Sequence, residues 1–198
     1  MGDMLVTPSD LASFVQDDVD TASATLAIEI ATGVVQAAIS QRLIYVADDP
    51  FTVYVDQYDT SPYLDLPELP VIAASTFVVG GTAVNDVTPD CGRGRLYRRC
   101  GWRSSTAVYP YAPSTVTGVY THGYQSGDRR LQLAESVTLM LAAAAYGNPQ
   151  GAMREQIDDY AIQYTETATA RLDAMPATVA ALRRAYGRGP RSALLLKG

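Results

Sequence analysis

The chain has 198 residues, a net charge of −6 and a hydrophobic share of 47%, which together exclude a disordered chain and a second full domain. No apolar run approaches the roughly 20 residues of a membrane span. The N-terminal Met1-Gly2-Asp3-Met4 lacks the basic and apolar parts of a signal peptide. We therefore expect one globular domain that is made in the cytoplasm and stays there, without a membrane partner.

The charges are divided unevenly along the chain. Residues 1–90 hold 14 acidic residues and a single base, a net charge of −13, whereas residues 91–198 hold 14 bases and 7 acids, a net charge of +7. Such a division favours pairing of the two halves within one chain, a head-to-tail contact between subunits, or a polyanionic partner.

The first predicted helix spans about residues 8–16. Thr7 is a suitable N-cap, Pro8 a suitable first helical residue, and Asp10 the third-position acid that completes a capping box. The acidic stretch at 17–20 ends this helix and leads into the next one.

A second, longer helix is predicted over about residues 21–43, and it is apolar around much of its circumference. Such a helix is usually buried on several sides. Two interpretations remain open: a central core helix, or a helix that packs on its own bundle and on a neighbouring subunit. The candidate subunit-interface residues lie on one side of it: Ile28, Ala31, Val35 and Ala38.

The middle of the chain, about residues 44–124, is predicted to be a β-rich insertion. Residues 52–56 alternate between apolar and polar, and the β-branched run 71–79 reaches Gly80-Gly81, a two-residue hairpin signal. Residues 95–100 and 115–121 can supply further strands.

Five arginines within eleven residues form the only basic cluster of this insertion: Arg93, Arg95, Arg98, Arg99 and Arg103. Interleaved Tyr97 and Trp102 suit a nucleic-acid contact. We favour pairing with acidic loops of the same or an adjacent subunit, because the chain is acidic overall. Cys91 and Cys100 flank most of the cluster. A cytosolic location favours free thiols, although a hairpin could bring the two cysteines within bridging distance.

Residues with catalytic potential are few, and the sequence predicts no enzyme, no cofactor and no metal site. His122 is the single histidine, so any Ser-His-Asp or Cys-His arrangement must include it. It lies where a strand meets a turn, a common place for a structural histidine. One His and two Cys fall short of the four ligands of a structural zinc.

Two more helices are predicted at about residues 128–146 and 176–186. The first begins at the N-cap Asp128 and ends at Gly147. Beyond Pro190 the chain cannot continue the last helix, and residues 190–198 form a tail with three apolar residues: Leu194, Leu195 and Leu196. This tail either docks on a partner or folds back on its own domain. The predicted fold is α+β, mainly a helical bundle with a small inserted antiparallel sheet, as one domain over 1–189.

Three stretches resemble the head-to-tail adaptor (connector) proteins of long-tailed bacteriophages. They are Leu66-Pro-Glu-Leu-Pro-Val71, the strand and turn from Ser114 to His122-Gly-Tyr124, and the helix that ends at Tyr146-Gly-Asn-Pro149. The sequence departs from the family in having no proline just after Tyr124 and in its arginine-rich loop.

The resemblance implies a structural protein of the virion neck, without an active site. It implies a dodecameric ring beneath the portal that joins capsid to tail and lines the DNA exit channel. The implied partners are the portal protein, a tail-proximal neck or tail-terminator protein, and DNA held non-specifically, with the three tail leucines as candidate portal contacts. The alternative function is a small DNA-binding or packaging-associated module that uses the arginine cluster.

Overall fold

The computed structural model describes residues 4–56, 58–103, 113–147, 154–157, 160–163 and 168–187. The described residues form two compact units. The helical unit comes from both ends of the chain, residues 1–44 and 126–189, and the β unit is residues 45–125. The C-terminal tail at 190–198 lies outside the described residues, and the single domain over 1–189 stays a prediction.

The described residues of the helical unit contain five α-helices: α1 Pro8–Val15, α2 Thr21–Ile39, α3 Gln132–Gly147, α4 Ala168–Asp173 and α5 Pro176–Tyr186. A short 3-10 turn, Arg129–Leu131, precedes α3, and a two-stranded antiparallel hairpin pairs Arg154–Ile157 with Tyr160–Gln163. All four helices predicted from the sequence are present, and α4 was not predicted.

Side-chain caps define the starts of the helices. The predicted capping box of α1 is confirmed: the Asp10 backbone N–H donates to Thr7 Oγ1 (3.2 Å), and the Thr7 N–H donates to Asp10 Oδ2 (2.8 Å). Asp20 caps α2 by accepting the Ser23 N–H (2.8 Å), and Asp128 accepts the Arg130 N–H (2.9 Å). Each cap satisfies an N–H that the helix itself leaves unpaired.

The second helix ends at Ile39, four residues before the predicted end. Ser40 takes a left-handed conformation with φ 57°, and its N–H turns back to carbonyls of the last turn. Glycine usually provides this type of C-cap, so a serine at position 40 did not predict the end of the helix. Gln41 and Leu43 are buried beyond the helix, and Gln41 Nε2 donates to the Tyr186 carbonyl (2.6 Å).

One face of α2 forms the centre of the helical core. It packs against α1, α3, α4 and α5. Its buried residues are Ala24, Ala27, Ile28, Ala31, Thr32, Val35 and Ile39. Facing them, α3 buries Ala134, Val137, Leu141 and Ala142. Small residues on both helices allow their backbones to approach closely.

Within the described residues, α2 is also the one helix long and apolar enough to cross a membrane by length and composition. The sequence-based expectation that no apolar run approaches the length of a membrane span is therefore wrong for Thr21–Ile39. A buried core helix passes the same test, and the packing of α2 in the helical unit is that of a core helix.

In the part of the β unit that the structure describes, seven strands are present: β1 Val46–Val55, β2 Tyr63–Asp65, β3 Val71–Val79, β4 Thr82–Val84, β5 Val87–Asp90, β6 Arg95–Arg98 and β7 Ser114–His122. One antiparallel sheet has the order β1-β7-β3-β4, and a second has the order β2-β6-β5. The predicted hairpin between β3 and β4 is confirmed, with positive φ at both Gly80 and Gly81.

The central strand β7 buries every second residue, as period-two alternation requires. Its inward side chains include Val116, Tyr120 and His122. Gly118 lies where a Cβ would come within 2.8 Å of the Phe51 ring, so this position admits no side chain. The core of the β unit gathers residues of both sheets, including Phe77, Leu96 and Trp102.

The α+β class is confirmed, but the protein is not a clear helical bundle. Strands and helices share the described chain, and the expected single small sheet is two sheets with their own apolar core. The prediction contained too few strands in the insertion. Strands β2 and β5 are short and contain charged residues or proline, so they lack the usual sequence pattern of a strand.

We predict that Ile28→Ala destabilises the protein strongly and Ile30→Ala barely does. Ile28 is fully buried, whereas Ile30, two residues along the same helix, is 48% exposed. Truncation of a buried isoleucine costs about 2–5 kcal/mol, and an exposed substitution usually costs about 0.5 kcal/mol or less. Urea unfolding of dilute protein measures both values, and equal losses would contradict the assignment of the two faces.

Candidate functional site

His122 has the environment of a structural core residue. It has no exposed surface, and its Nε2 lies 3.1 Å from Asp49 Oδ2. Its ring stacks on Tyr120 with centroids 4.6 Å apart. Within the described residues, Nδ1 has no hydrogen-bond partner, and no group of three or more His, Cys, Asp or Glu side chains could hold a metal ion. A buried imidazole of this kind offers no access to a substrate.

Two arginines of the cluster are paired inside their own subunit. Arg95 Nε donates to Asp65 Oδ1 (2.7 Å), across the β2–β6 pair. Arg98 Nε donates to both carboxylate oxygens of Asp86 (2.9 and 3.0 Å), and Arg98 Nη1 donates to the Gly101 carbonyl (3.0 Å). The hydrogen bond from Arg98 lowers the pKa of Asp86. For these two arginines, an acidic partner in the same subunit is observed.

The other three arginines, Arg93, Arg99 and Arg103, are exposed. None of them pairs with an acid within the part of the chain that the structure describes. Arg93 lies in the turn before β6, and Arg99 and Arg103 follow that strand. Cys91 and Cys100, in the same two turns, are free thiols.

Exposed apolar side chains lie beside these two turns. Tyr63, 46% exposed, pairs with Tyr97 across β2 and β6, with ring centroids 5.3 Å apart. The preceding Pro62 carbonyl accepts from both Arg98 N (2.8 Å) and Trp102 Nε1 (3.1 Å), which fixes Tyr63 next to the turn after β6. On the other side, Cys91 Sγ lies 3.5 Å from the carbonyl of Ile72, whose side chain is 50% exposed. We call Tyr63, Ile72, Arg93, Arg99 and Arg103 the basic patch.

A second exposed apolar surface lies on α2, opposite its buried face. Leu26 is 59% exposed and Ile30 is 48% exposed. With helical spacing, Glu29, Gly33 and Ala37 complete what we call the α2 outer face. A groove of about 500 Å³ continues this surface towards α4 and α5. Its lining includes Ile30, Val34, Ala38, Leu172, Asp173, Val179 and Arg183.

The structure places the four candidate interface residues differently. Ile28, Ala31 and Val35 are completely buried in the core of the helical unit, and a role for them in a subunit contact stays a prediction. Ala38 is half-buried and lines the groove. Leu26 and Ile30 were not singled out as exposed residues from the sequence, because both faces of α2 are apolar. Glu29, the only charged residue of the helix, marks the exposed side.

The acids of the helical unit differ in what they bind. Residues 1–41 contain six acids and no base. Of these, Asp10 and Asp20 are helix caps, and hydrogen bonds from Ser23 lower the pKa of Asp20. Asp17, Asp18 and Glu29 are exposed, and none has a cationic partner among the described residues. They lie before the start of α2 and on its outer face.

Near the start of α3, the carboxylates repel one another. A hydrogen bond from Arg130 lowers the pKa of Asp128 to about 2. Burial, together with the negative charges of Asp10 and Asp128, raises the pKa of Glu135.

The candidate portal-docking residues Leu194, Leu195 and Leu196 lie outside the described residues.

Comparison with solved structures finds the same fold in a particle neck. A chain in the neck of an empty gene transfer agent (GTA) particle, computed with C6 symmetry, matches with a TM-score of 0.55 and 15% identity. The match covers 96% of this chain and 93% of the other. A chain in the neck of the native GTA particle, computed with C12 symmetry, matches with a TM-score of 0.51 and 15% identity, over 94% and 93% of the two chains.

A chain in the virion of the native GTA particle also matches, with a TM-score of 0.53 and 15% identity, over 96% and 93% of the two chains. No protein-family profile and no curated protein matches the sequence. At this identity the likeness shows the fold, and the resemblance indicated by the sequence is confirmed at that level.

We predict that Glu135→Gln stabilises the protein at pH 7. The folded chain holds the Glu135 proton more tightly than the unfolded chain, so the free energy of unfolding falls as pH rises through the unfolded and then the folded pKa. Removing the charge should recover about 0.5 kcal/mol at pH 7, or about 1–2 °C in Tm. The gain should shrink as the pH falls towards the ordinary Glu pKa of about 4.3, and it should vanish well below that pH, where both states are protonated.

Thermal unfolding of dilute protein between pH 4 and pH 7 measures this difference. Glu29→Gln is the matched control, because it removes the same charge from an exposed position of α2. A gain in Tm from Glu135→Gln that grows as the pH falls would contradict a raised pKa of Glu135.

Proposed function

We propose that this protein is a structural connector of the neck in a long-tailed, phage-like particle, where it forms a homo-oligomeric ring between capsid and tail. The observation that carries the proposal is the shared fold with neck chains of the GTA particle over nearly the whole length of both chains. The adaptor-like stretches of the sequence support it independently. Both GTA necks were computed with cyclic symmetry, which supports a ring for this chain.

The α2 outer face supplies a surface suited to a subunit contact. Obligate homo-oligomer interfaces are rich in apolar contacts, and a ring joins two different surfaces of the same chain. Leu26 and Ile30 expose apolar side chains, while Gly33 and Ala37 leave room for a close approach. We assign this face, with the adjoining groove, to the neighbouring subunit, in place of the buried residues of the same helix.

The finer assignments follow from the resemblance. We propose a dodecamer in the virion neck, assembled in the host cytoplasm, with the portal protein on one side and a tail-proximal neck or tail-terminator protein on the other. The ring would line the DNA exit channel and contact DNA without sequence specificity. This is a role of positioning and sealing, not of catalysis, and it fits a chain whose single histidine is buried.

The alternative, a DNA-binding or packaging-associated module, is supported by the arginine cluster alone. Two of its five arginines are neutralised by aspartates of the same subunit. The β unit, residues 45–125, holds eight acidic residues and five arginines, and this excess of acid opposes a high non-specific affinity for DNA. We therefore prefer the connector.

We assign portal docking to the C-terminal tail. Leu194, Leu195 and Leu196 follow Pro190, which prevents a helical continuation. Complete burial of each leucine contributes about 1.5–3 kcal/mol, enough for three of them to offset the cost of ordering a short segment. An extended segment of this kind can add to a sheet edge of a partner.

Leu26→Asp and Ile30→Asp should abolish ring formation while the isolated subunit keeps its fold. A carboxylate at an apolar contact loses the burial of the side chain and adds a desolvation cost, so association should weaken at least about tenfold. Sedimentation and negative-stain microscopy measure rings, and circular dichroism measures the fold. Leu133→Asp, at an exposed apolar position of α3, is the control. Rings of wild-type abundance in both variants would exclude this face as the contact.

Deletion of residues 191–198 should leave the Tm of the isolated subunit unchanged and prevent the joining of portal-bearing heads to tails. The expected loss follows from removing all three leucines together. Pull-down with portal protein and counting of tailed particles give the two measurements. A lower Tm of the truncated subunit would instead show that the leucines pack on their own domain.

A further inference from the structure

Two sets of exposed residues of this protein are opposite in charge, and each includes exposed apolar side chains. The α2 outer face exposes Leu26 and Ile30 together with Glu29, and the basic patch exposes Tyr63 and Ile72 at the two turns that carry the exposed arginines. Protein interfaces commonly combine apolar contacts with charged groups.

The two charged groups are each left over after local pairing. Among the described residues, Asp17, Asp18 and Glu29 have no cationic partner, and Arg93, Arg99 and Arg103 have no acidic one. The other acids of α1 and α2 are used as caps, and the other two arginines of the cluster are paired with Asp65 and Asp86. Three acids and three arginines therefore remain for contacts beyond these local ones.

We propose that the α2 outer face of one copy docks on the basic patch of the next copy, with Asp17, Asp18 and Glu29 opposite Arg93, Arg99 and Arg103. This rests on the proposed ring and identifies the two faces that meet in it. Two different faces of one chain make a head-to-tail contact, which is the type that closes a ring.

The occupant of the basic patch is then a second copy of this chain and not a nucleic acid. The exposed Ile72 favours this choice, because a protein interface buries an aliphatic side chain, whereas contacts to a phosphate backbone are made by cationic and polar groups. The composition of residues 1–41 favours it as well, because they contain six acids and no base; the cation that lines the groove beside the α2 outer face is Arg183, whose Nε donates to the Ala38 carbonyl (2.9 Å).

Charge reversal in separate chains tests the contact. The patch variant carries Arg93→Glu and Arg99→Glu, and the acid variant carries Asp18→Arg and Glu29→Arg. Asp10 and Asp20 stay unchanged because they are helix caps. Each variant alone should assemble at least about tenfold less than wild type, because like charges then face each other.

An equimolar mixture of the two variants should restore rings. In an alternating ring each introduced glutamate faces an introduced arginine, and each native arginine faces a native acid. Such alternation closes in a ring with an even number of subunits. Restoration in the mixture distinguishes this contact from pairing within one chain, which only the combined four-substitution chain would restore.

The control carries Arg129→Glu and Arg184→Glu, which make the same change in net charge at exposed positions outside the patch. It should assemble as wild type does. A neutral version, Arg93→Gln with Arg99→Gln, guards against misfolding of the charge-reversed chain. Its loss of assembly should be smaller than that of the reversed chain, and high salt should not increase this loss. Circular dichroism of each chain checks the fold.

Three results would overturn the proposal: wild-type assembly of both reversed variants, restoration only within a single chain, or loss of duplex-DNA binding by the patch variant with assembly intact. If the wild-type chain itself forms no rings, alone or on particles lacking it, the proposed connector function fails instead. The two failures are therefore distinguishable.

Discussion

The helical unit depends on the packing of α2 against α3 through small side chains. Ala27, Ile28 and Ala31 meet a face of α3 that is itself rich in alanine, so the two backbones come close and α1, α4 and α5 pack around them. This contact uses only one side of α2. The opposite side is equally apolar in composition and stays exposed, and that imbalance is what points to a partner.

Local signals in the sequence predicted local structure well. The capping box at Thr7 and Asp10 and the Gly80-Gly81 turn each depend on residues within four positions of one another, and both are present. The end of α2 was misplaced because Ser40 takes a left-handed conformation without a glycine. The short strands β2 and β5 were missed because they are defined by their pairing with β6, and not by their own composition.

The candidate site was harder to predict than the fold. Which arginines are neutralised depends on Asp65 and Asp86, which lie 30 and 12 residues from their partners in sequence. Sequence spacing carries no information on such pairs. Helical periodicity failed on α2 for another reason: leucine, isoleucine, valine and alanine surround the helix, so the pattern gave two apolar lines and no means of choosing the buried one.

The charges around the α2 outer face have a physical consequence for a ring-forming subunit. An apolar surface alone would promote unspecific association of free subunits, whereas Glu29 within that surface and Asp17 and Asp18 at its end add repulsion between like faces. Two copies therefore gain little from meeting through the same face. In the proposed contact, a basic face would relieve this repulsion and add attraction, so the charges would favour the head-to-tail arrangement over a symmetric dimer. In the proposed ring, the apolar surface supplies the affinity of the subunit contact. The acids of residues 17–29 determine that this surface meets a basic face and not a second copy of itself.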